Sequence, residues 1–125
     1  MNLVLDAGAL IGIDRNDRRM LTAIKVARAN SLGLVSVAPV VGQAWRNGAR
    51  QAILSRWIQW IDVRITDLDD AKDAGELLAK ARTSDVVDAL LCLEVNAGDR
   101  VFTSVVTDIK VLLEARNIKT SIILT

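Results

Sequence analysis

Asn2-Leu3-Val4-Leu5-Asp6 begins as an apolar run, stops at a single acid, and is followed by the small residues Ala7-Gly8-Ala9. A short apolar run without alternation reads as a strand buried on both faces, as in a parallel sheet covered by helices. The rest of the chain alternates in the same way. A short helix is expected from about Ala7 to Ile13, and Asn16 or Asp17 can cap a second one carrying Met20, Ala23, Ile24 and Ala27 at helical spacing. Leu34 to Val37 reads as the second strand. Pro39 suits the first turn of a third helix, where its missing N–H costs nothing, and that helix should run to Arg46 and end at Asn47-Gly48. A fourth helix is expected over Ala49 to Trp60, and a third strand over Val63 to Thr66. Asp67 can cap the helix carrying Leu68, Ala71, Ala74, Leu77 and Leu78. Ser84 can cap a helix from Asp85 to Val95. Ala97-Gly98-Asp99 should turn into a fourth strand, Arg100 to Thr103. A last helix through Val111-Leu112-Leu113 then leads to a fifth strand, Thr120 to Leu124. The expected fold is a single α/β domain: a doubly wound five-stranded parallel sheet flanked by helices, joined by right-handed crossovers.

Composition narrows the function. Of 125 residues, 51% are hydrophobic but only 3% aromatic, so the core must be built from Ala, Val, Leu and Ile. The net charge of +1 provides no overall field for a polyanion, so any nucleic-acid surface must be local. Charges interrupt every apolar run well short of the ~20 residues a membrane span needs. The amino terminus has no basic region before its apolar run, so no signal peptide is expected. Cys92 is the one cysteine and falls in an apolar helical stretch, which fits a buried hydrophobe in a reducing, cytoplasmic setting.

The acids carry the chemistry. Asp6 ends the first strand, Asp85 and Asp88 open the apolar run from Val86 to Val95, and Asp108 follows the fourth strand. Open parallel sheets bind ligands outside the carboxyl ends of their strands. Carboxylates gathered there, in a chain without histidine, suit a hard divalent cation such as Mg²⁺ or Mn²⁺ and phosphoester chemistry. Asp6 could equally be an ordinary helix cap, and Asp85 a charge favoured by the helix dipole. Asp88 lies on a helix that is apolar nearly all round, and a buried acid is costly unless paired or metal-bound. It is the acid that simple capping explains least. Thr103 and Ser104 place hydroxyls at the end of the fourth strand, able to meet a phosphate or merely to cap the next helix.

Four stretches together resemble a PIN domain, and more narrowly the VapC toxins of bacterial toxin–antitoxin pairs. They are Leu5-Asp6-Ala7-Gly8-Ala9-Leu10; Ala38-Pro39-Val40-Val41-Gly42-Gln43-Ala44-Trp45-Arg46 before Arg50-Gln51; Thr83-Ser84-Asp85-Val86-Val87-Asp88-Ala89; and Val101-Phe102-Thr103-Ser104 with Asp108-Ile109. The resemblance spans essentially the whole chain. It implies a metal-dependent endoribonuclease, with Asp6 as first ligand to Mg²⁺ or Mn²⁺ and Asp88 as the central one. Asp85 would be a neighbouring acid, and Asp108 the acid after the last active-site strand. It also implies a homodimer neutralised by a cognate antitoxin. Two positions depart from the family pattern: Gln43 stands where many members have Glu, and Val105 where many have Asp or Asn. Gln43 could still orient a water through its amide, but the cluster keeps fewer acids.

RNA would need cations near the acids. Arg15, Arg18, Arg19, Lys25 and Arg28 form one group in sequence, and Arg46, Arg50 and Arg56 another, with Arg46 the expected phosphate contact. Trp57 and Trp60, three apart, suggest either core packing or a face for a partner. Two rival readings stay open. One is a PIN-like domain with a thinned acidic cluster, acting as an RNA- or protein-binding module. The other is a phospho-acceptor receiver domain, which would want paired acids after the first strand and a Lys after the fifth; the chain has a lone Asp6 there, and its Lys119 precedes the last strand.

Overall fold

The computed structural model describes residues 1–125. Five strands, β1 (Asn2–Leu5), β2 (Gly33–Val37), β3 (Asp62–Arg64), β4 (Arg100–Thr103) and β5 (Ser121–Leu124), form one sheet in the order β3-β2-β1-β4-β5. Every neighbouring pair is parallel. Seven α-helices connect them: α1 (Ala7–Asp14), α2 (Arg18–Ala29), α3 (Ala38–Ala44), α4 (Ala52–Ile58), α5 (Leu68–Ala81), α6 (Val86–Leu93) and α7 (Val106–Ala115). The chain winds from β1 to β3 in one direction, then crosses back over β1 to β4 and β5. Right-handed crossovers taken in opposite directions place their helices on opposite faces. Accordingly α1 packs with α2, α3 and α4, while α5, α6 and α7 pack with one another. The doubly wound parallel sheet expected from the sequence is the fold observed. No helix is long and apolar enough to cross a membrane.

The winding direction reverses between β1 and β4, so the crevice outside their carboxyl ends is the natural ligand position. The Asp6 amide donates to the Phe102 carbonyl at 3.0 Å, which fixes the first residue after β1 beside the end of β4. One apolar cluster of 29 buried residues holds both faces, with Val4, Leu5, Leu10, Ile13, Ile24, Leu91 and Ile109 almost fully buried. Each such side chain stabilises the fold by about 1.5–3 kcal/mol. Cys92 is part of this cluster, and burial, first, with the Asp88 charge second, pushes its thiol up to about 12. It is an inert core residue.

Several sequence expectations need correction. Asp85, not Ser84, caps α6: its backbone is extended and its carboxylate accepts from the Asp88 amide at 3.0 Å. Ser and Asp cap equally well, and α6 adopts the later of the two, running only to Leu93. Asp85 and Asp88 are therefore the cap and the third residue of α6. The third helix ends at Ala44 rather than Arg46. Asn47 starts a 3-10 turn, Gly48–Arg50, by accepting from the Ala49 amide, where the sequence suggested only a helix end. The single helix expected over Ala49 to Trp60 is split, with α4 beginning after Gln51. The third strand lies one residue earlier than expected and is shorter, ending at Arg64, whose guanidinium pairs with Glu94 at 2.5 Å and Asp62 at 3.3 Å. Trp57 packs into the core, and Trp60 stands just beyond α4, edge-on to it at 5.1 Å. Arg28 of α2 lies 4.4 Å over the Trp60 ring, which nonetheless remains exposed.

Candidate functional site

Asp6 is only 4% exposed. It caps α1, but through one long bond, Oδ1 accepting from the Ala9 amide at 3.3 Å. No cation pairs with it, because Arg64 makes the only ion pairs in the protein. Asp99, the other buried acid, shows what a structural carboxylate looks like here. Its Oδ1 accepts from Asn2 N and its Oδ2 from Asn96 N, each at 2.8 Å, pinning the opposite edge of the sheet. Asp6 lacks that second partner. Beside it, Ser36 is fully buried in β2 and donates to the Leu5 carbonyl at 2.8 Å, holding the backbone that presents the acid.

Asp88 is half-buried in the first turn of α6, and its carboxylate has no hydrogen-bond donor and no cation. Burial, first, and then the charges of Asp85, Asp6 and Asp108 push its pKa up to about 6. Those couplings put four acids from three separate stretches of the sequence into one electrostatic cluster around Asp88. A like-charge group of this kind is unfavourable alone, and a cation relieves it. The donors are all hard oxygens, which fits Mg²⁺ or Mn²⁺. No three acidic or cysteine side chains stand close enough to hold an ion together. The fit is therefore to an ion held by one or two carboxylates and completed by water and substrate phosphate, the usual habit of Mg²⁺.

The remaining expected site residues separate. Ser104 is exposed at the carboxyl end of β4, next to the crevice. Thr103 is fully buried and its hydroxyl accepts from Val105 N at 2.9 Å, so it shapes the turn into α7. Asp108 is exposed in the first turn of α7. Gln43, near the end of α3, lines a cleft of about 490 Å³ together with Asp14, Arg15, Arg46 and Arg50. The two sequence groups of cations are thus redistributed: one residue of the first group and two of the second meet in this cleft. None of the three arginines is ion-paired. Arg46 is partly committed, its Nη1 donating to the carbonyls of Gly42 at 3.0 Å and Trp45 at 2.7 Å.

The cleft depends on a residue whose role sequence reasoning missed. Gln51 is buried; its Oε1 accepts from Arg46 N at 2.8 Å and Asn47 N at 2.9 Å, and its Nε2 donates to the Ala44 carbonyl at 3.0 Å. One amide thereby organises the loop that presents Arg46 and Arg50. The only sequence signal was its place beside Arg50 in the family-like stretch.

Fold and site together define an α/β protein with an uncompensated acidic cluster at its switch point and a cationic cleft beside α1. The chain matches no family model, no curated protein and no solved structure.

Proposed function

We propose that this protein is a Mg²⁺- or Mn²⁺-dependent endoribonuclease of the VapC type within the PIN-domain family, hydrolysing RNA phosphodiesters. The observation that carries the reading is Asp88: a half-buried carboxylate without a cation, raised in pKa, with Asp6, Asp85 and Asp108 around it. Asp6 and Asp88 would hold the metal, and Asp85 and Asp108 would add negative charge around it. Once bound, a divalent ion supplies Lewis-acid activation of water and neutralises charge on the phosphate. Ser104 is placed to donate to a phosphate oxygen at the crevice mouth. Arg15, Arg46 and Arg50 offer phosphate contacts in the neighbouring cleft, and Gln51 holds the loop that carries two of them. The homodimer and the cognate antitoxin rest on the family resemblance, and the cytoplasmic location on the lone, buried Cys92.

A second reading has its own observation in favour. No three acids converge, Gln43 sits with the arginines, and Val105 contributes no ligand, which suits a PIN-like module that binds RNA or protein without cutting. Incubating total RNA with the protein, with and without Mn²⁺, separates the two. The nuclease yields Mn²⁺-dependent fragments that disappear with Asp88→Asn. The module binds RNA and leaves it intact.

A further inference from the structure

The most enclosed cavity beside the carboxyl edge adjoins the arginine cleft along α1, the two sharing Ile11 and Arg15. It measures about 390 Å³, within the roughly 300–1,000 Å³ of small-molecule sites. Its α1 wall is made by Gly8 and Gly12, whose missing side chains keep it open. A Cβ on Gly8 would come within 2.9 Å of the Ser104 hydroxyl, so only glycine lets α1 approach the end of β4 this closely. The floor is apolar: Met20 and Ala23 from α2, Phe102 from β4 and Ile123 from β5. The rim is polar and cationic. Ser104 stands at the end nearest the acids, with Arg15 and Arg19 further along. Arg19 is oriented by donating through Nη2 to the Leu124 carbonyl at 2.9 Å, while Arg15 has no ion-pair partner. The rim acid Asp17 is committed to capping α2 through Met20 N at 3.2 Å.

Apolar walls with hydroxyl and guanidinium groups at the mouth suit one kind of ligand: a flat ring attached to a phosphate. We propose that this cavity receives a single base of the RNA, next to the phosphate presented to the acidic cluster, with Arg15 and Arg19 contacting the adjoining phosphate. The assignment rests on the nuclease reading for the choice of RNA, and it adds a base-selecting pocket to that site. One base held in this cavity gives sequence preference at one position.

The test is binding without cleavage. Each of the four 5′-nucleoside monophosphates, and inorganic phosphate alone, is titrated into the isotopically labelled protein in EDTA while backbone amide shifts are followed. The pocket predicts saturable shifts at Gly8, Gly12, Ala23 and Ile123, strongest for one base and absent with phosphate. Ala23→Phe, which fills the floor, should weaken that nucleotide at least tenfold and alter the base preference at the RNA cut site. Its far-UV circular dichroism and cooperative urea unfolding, which need no base pocket, should be retained and so report a folded variant. No shifts at these residues in the wild-type protein, or equal shifts with phosphate alone, would overturn the pocket. Loss of Mn²⁺-dependent cleavage by the wild type would instead overturn the nuclease, so the two ideas fail separately.

Discussion

The Asp85 carboxylate accepts a hydrogen bond from the Asp88 amide at 3.0 Å, so the residue that starts α6 also fixes a negative charge beside the central acid of the cluster. Capping and electrostatics act in opposite directions here. The cap stabilises the helix, whereas the charge it brings adds to the burial, and to Asp6 and Asp108, in raising the Asp88 pKa to about 6.

Asp88→Asn should therefore stabilise the metal-free protein. The folded pKa lies above the ordinary value of 3.8, so between about pH 4 and 6 the folded state binds more protons than the unfolded state. Stability contributed by Asp88 is present below pH 4 and lost as pH rises through 6. Allowing for solvent screening of a half-buried group, the loss is on the order of 1 kcal/mol, or about 4 °C in Tm. Thermal melts in EDTA should show Asp88→Asn above wild type at pH 7.5 and equal to it near pH 4. A lower Tm for the variant at pH 7.5 would refute the electrostatic assignment.

Asp85→Asn separates the cap from the charge. Asn caps about as well as Asp, so α6 should keep its stability. Removing the charge should lower the Asp88 pKa, which carboxyl NMR titration measures directly. An unmoved Asp88 titration would mean that Asp85 does not act on it.

Asp6→Asn likewise preserves the α1 cap and should keep the unfolding free energy within about 0.5 kcal/mol of wild type. RNA cleavage in Mn²⁺ should fall below detection. Retained cleavage would remove Asp6 from the site.

Gln51→Leu keeps the volume but deprives Arg46 N, Asn47 N and the Ala44 carbonyl of their partner. We expect a destabilisation of about 2–3 kcal/mol by urea denaturation. RNA affinity measured in EDTA should fall as well, because the loop carrying Arg46 and Arg50 loses its anchor. Separately, Arg15→Ala and Arg50→Ala should each reduce the salt slope of single-stranded RNA binding by about 0.7. An unchanged slope would place that arginine off the RNA path.

What could be read from the sequence follows from which residues make local patterns. Asp67 starts α5 where expected because its capping partner, Asp70, is only three residues away. Pro39 opens α3, and Arg100–Thr103 is a strand as expected, since φ restriction and apolar runs are local signals. The acids were legible as strand-end and helix-start residues. Their grouping around Asp88 follows from strand order, which brings β4 beside β1 and so places the start of α7 near Asp6. Ser36, Gln51 and the tie from Asp99 to Asn2 were not legible. Their partners are backbone groups, and backbone groups leave no trace in side-chain pattern. The break between the 3-10 turn and α4 was hidden for the same reason, because Gln51 makes it with main-chain bonds. Arg15, Arg46 and Arg50 meet only because α1 packs on α3 and α4, which two separate sequence groups could not reveal.

The central claim is that Asp6 and Asp88 share one divalent ion. Crystals soaked in Mn²⁺ and measured at a wavelength where manganese scatters anomalously test it directly. The account predicts an anomalous peak in contact with carboxylate oxygens of both residues. A saturating soak that leaves their crevice empty, or places manganese only elsewhere, would contradict it.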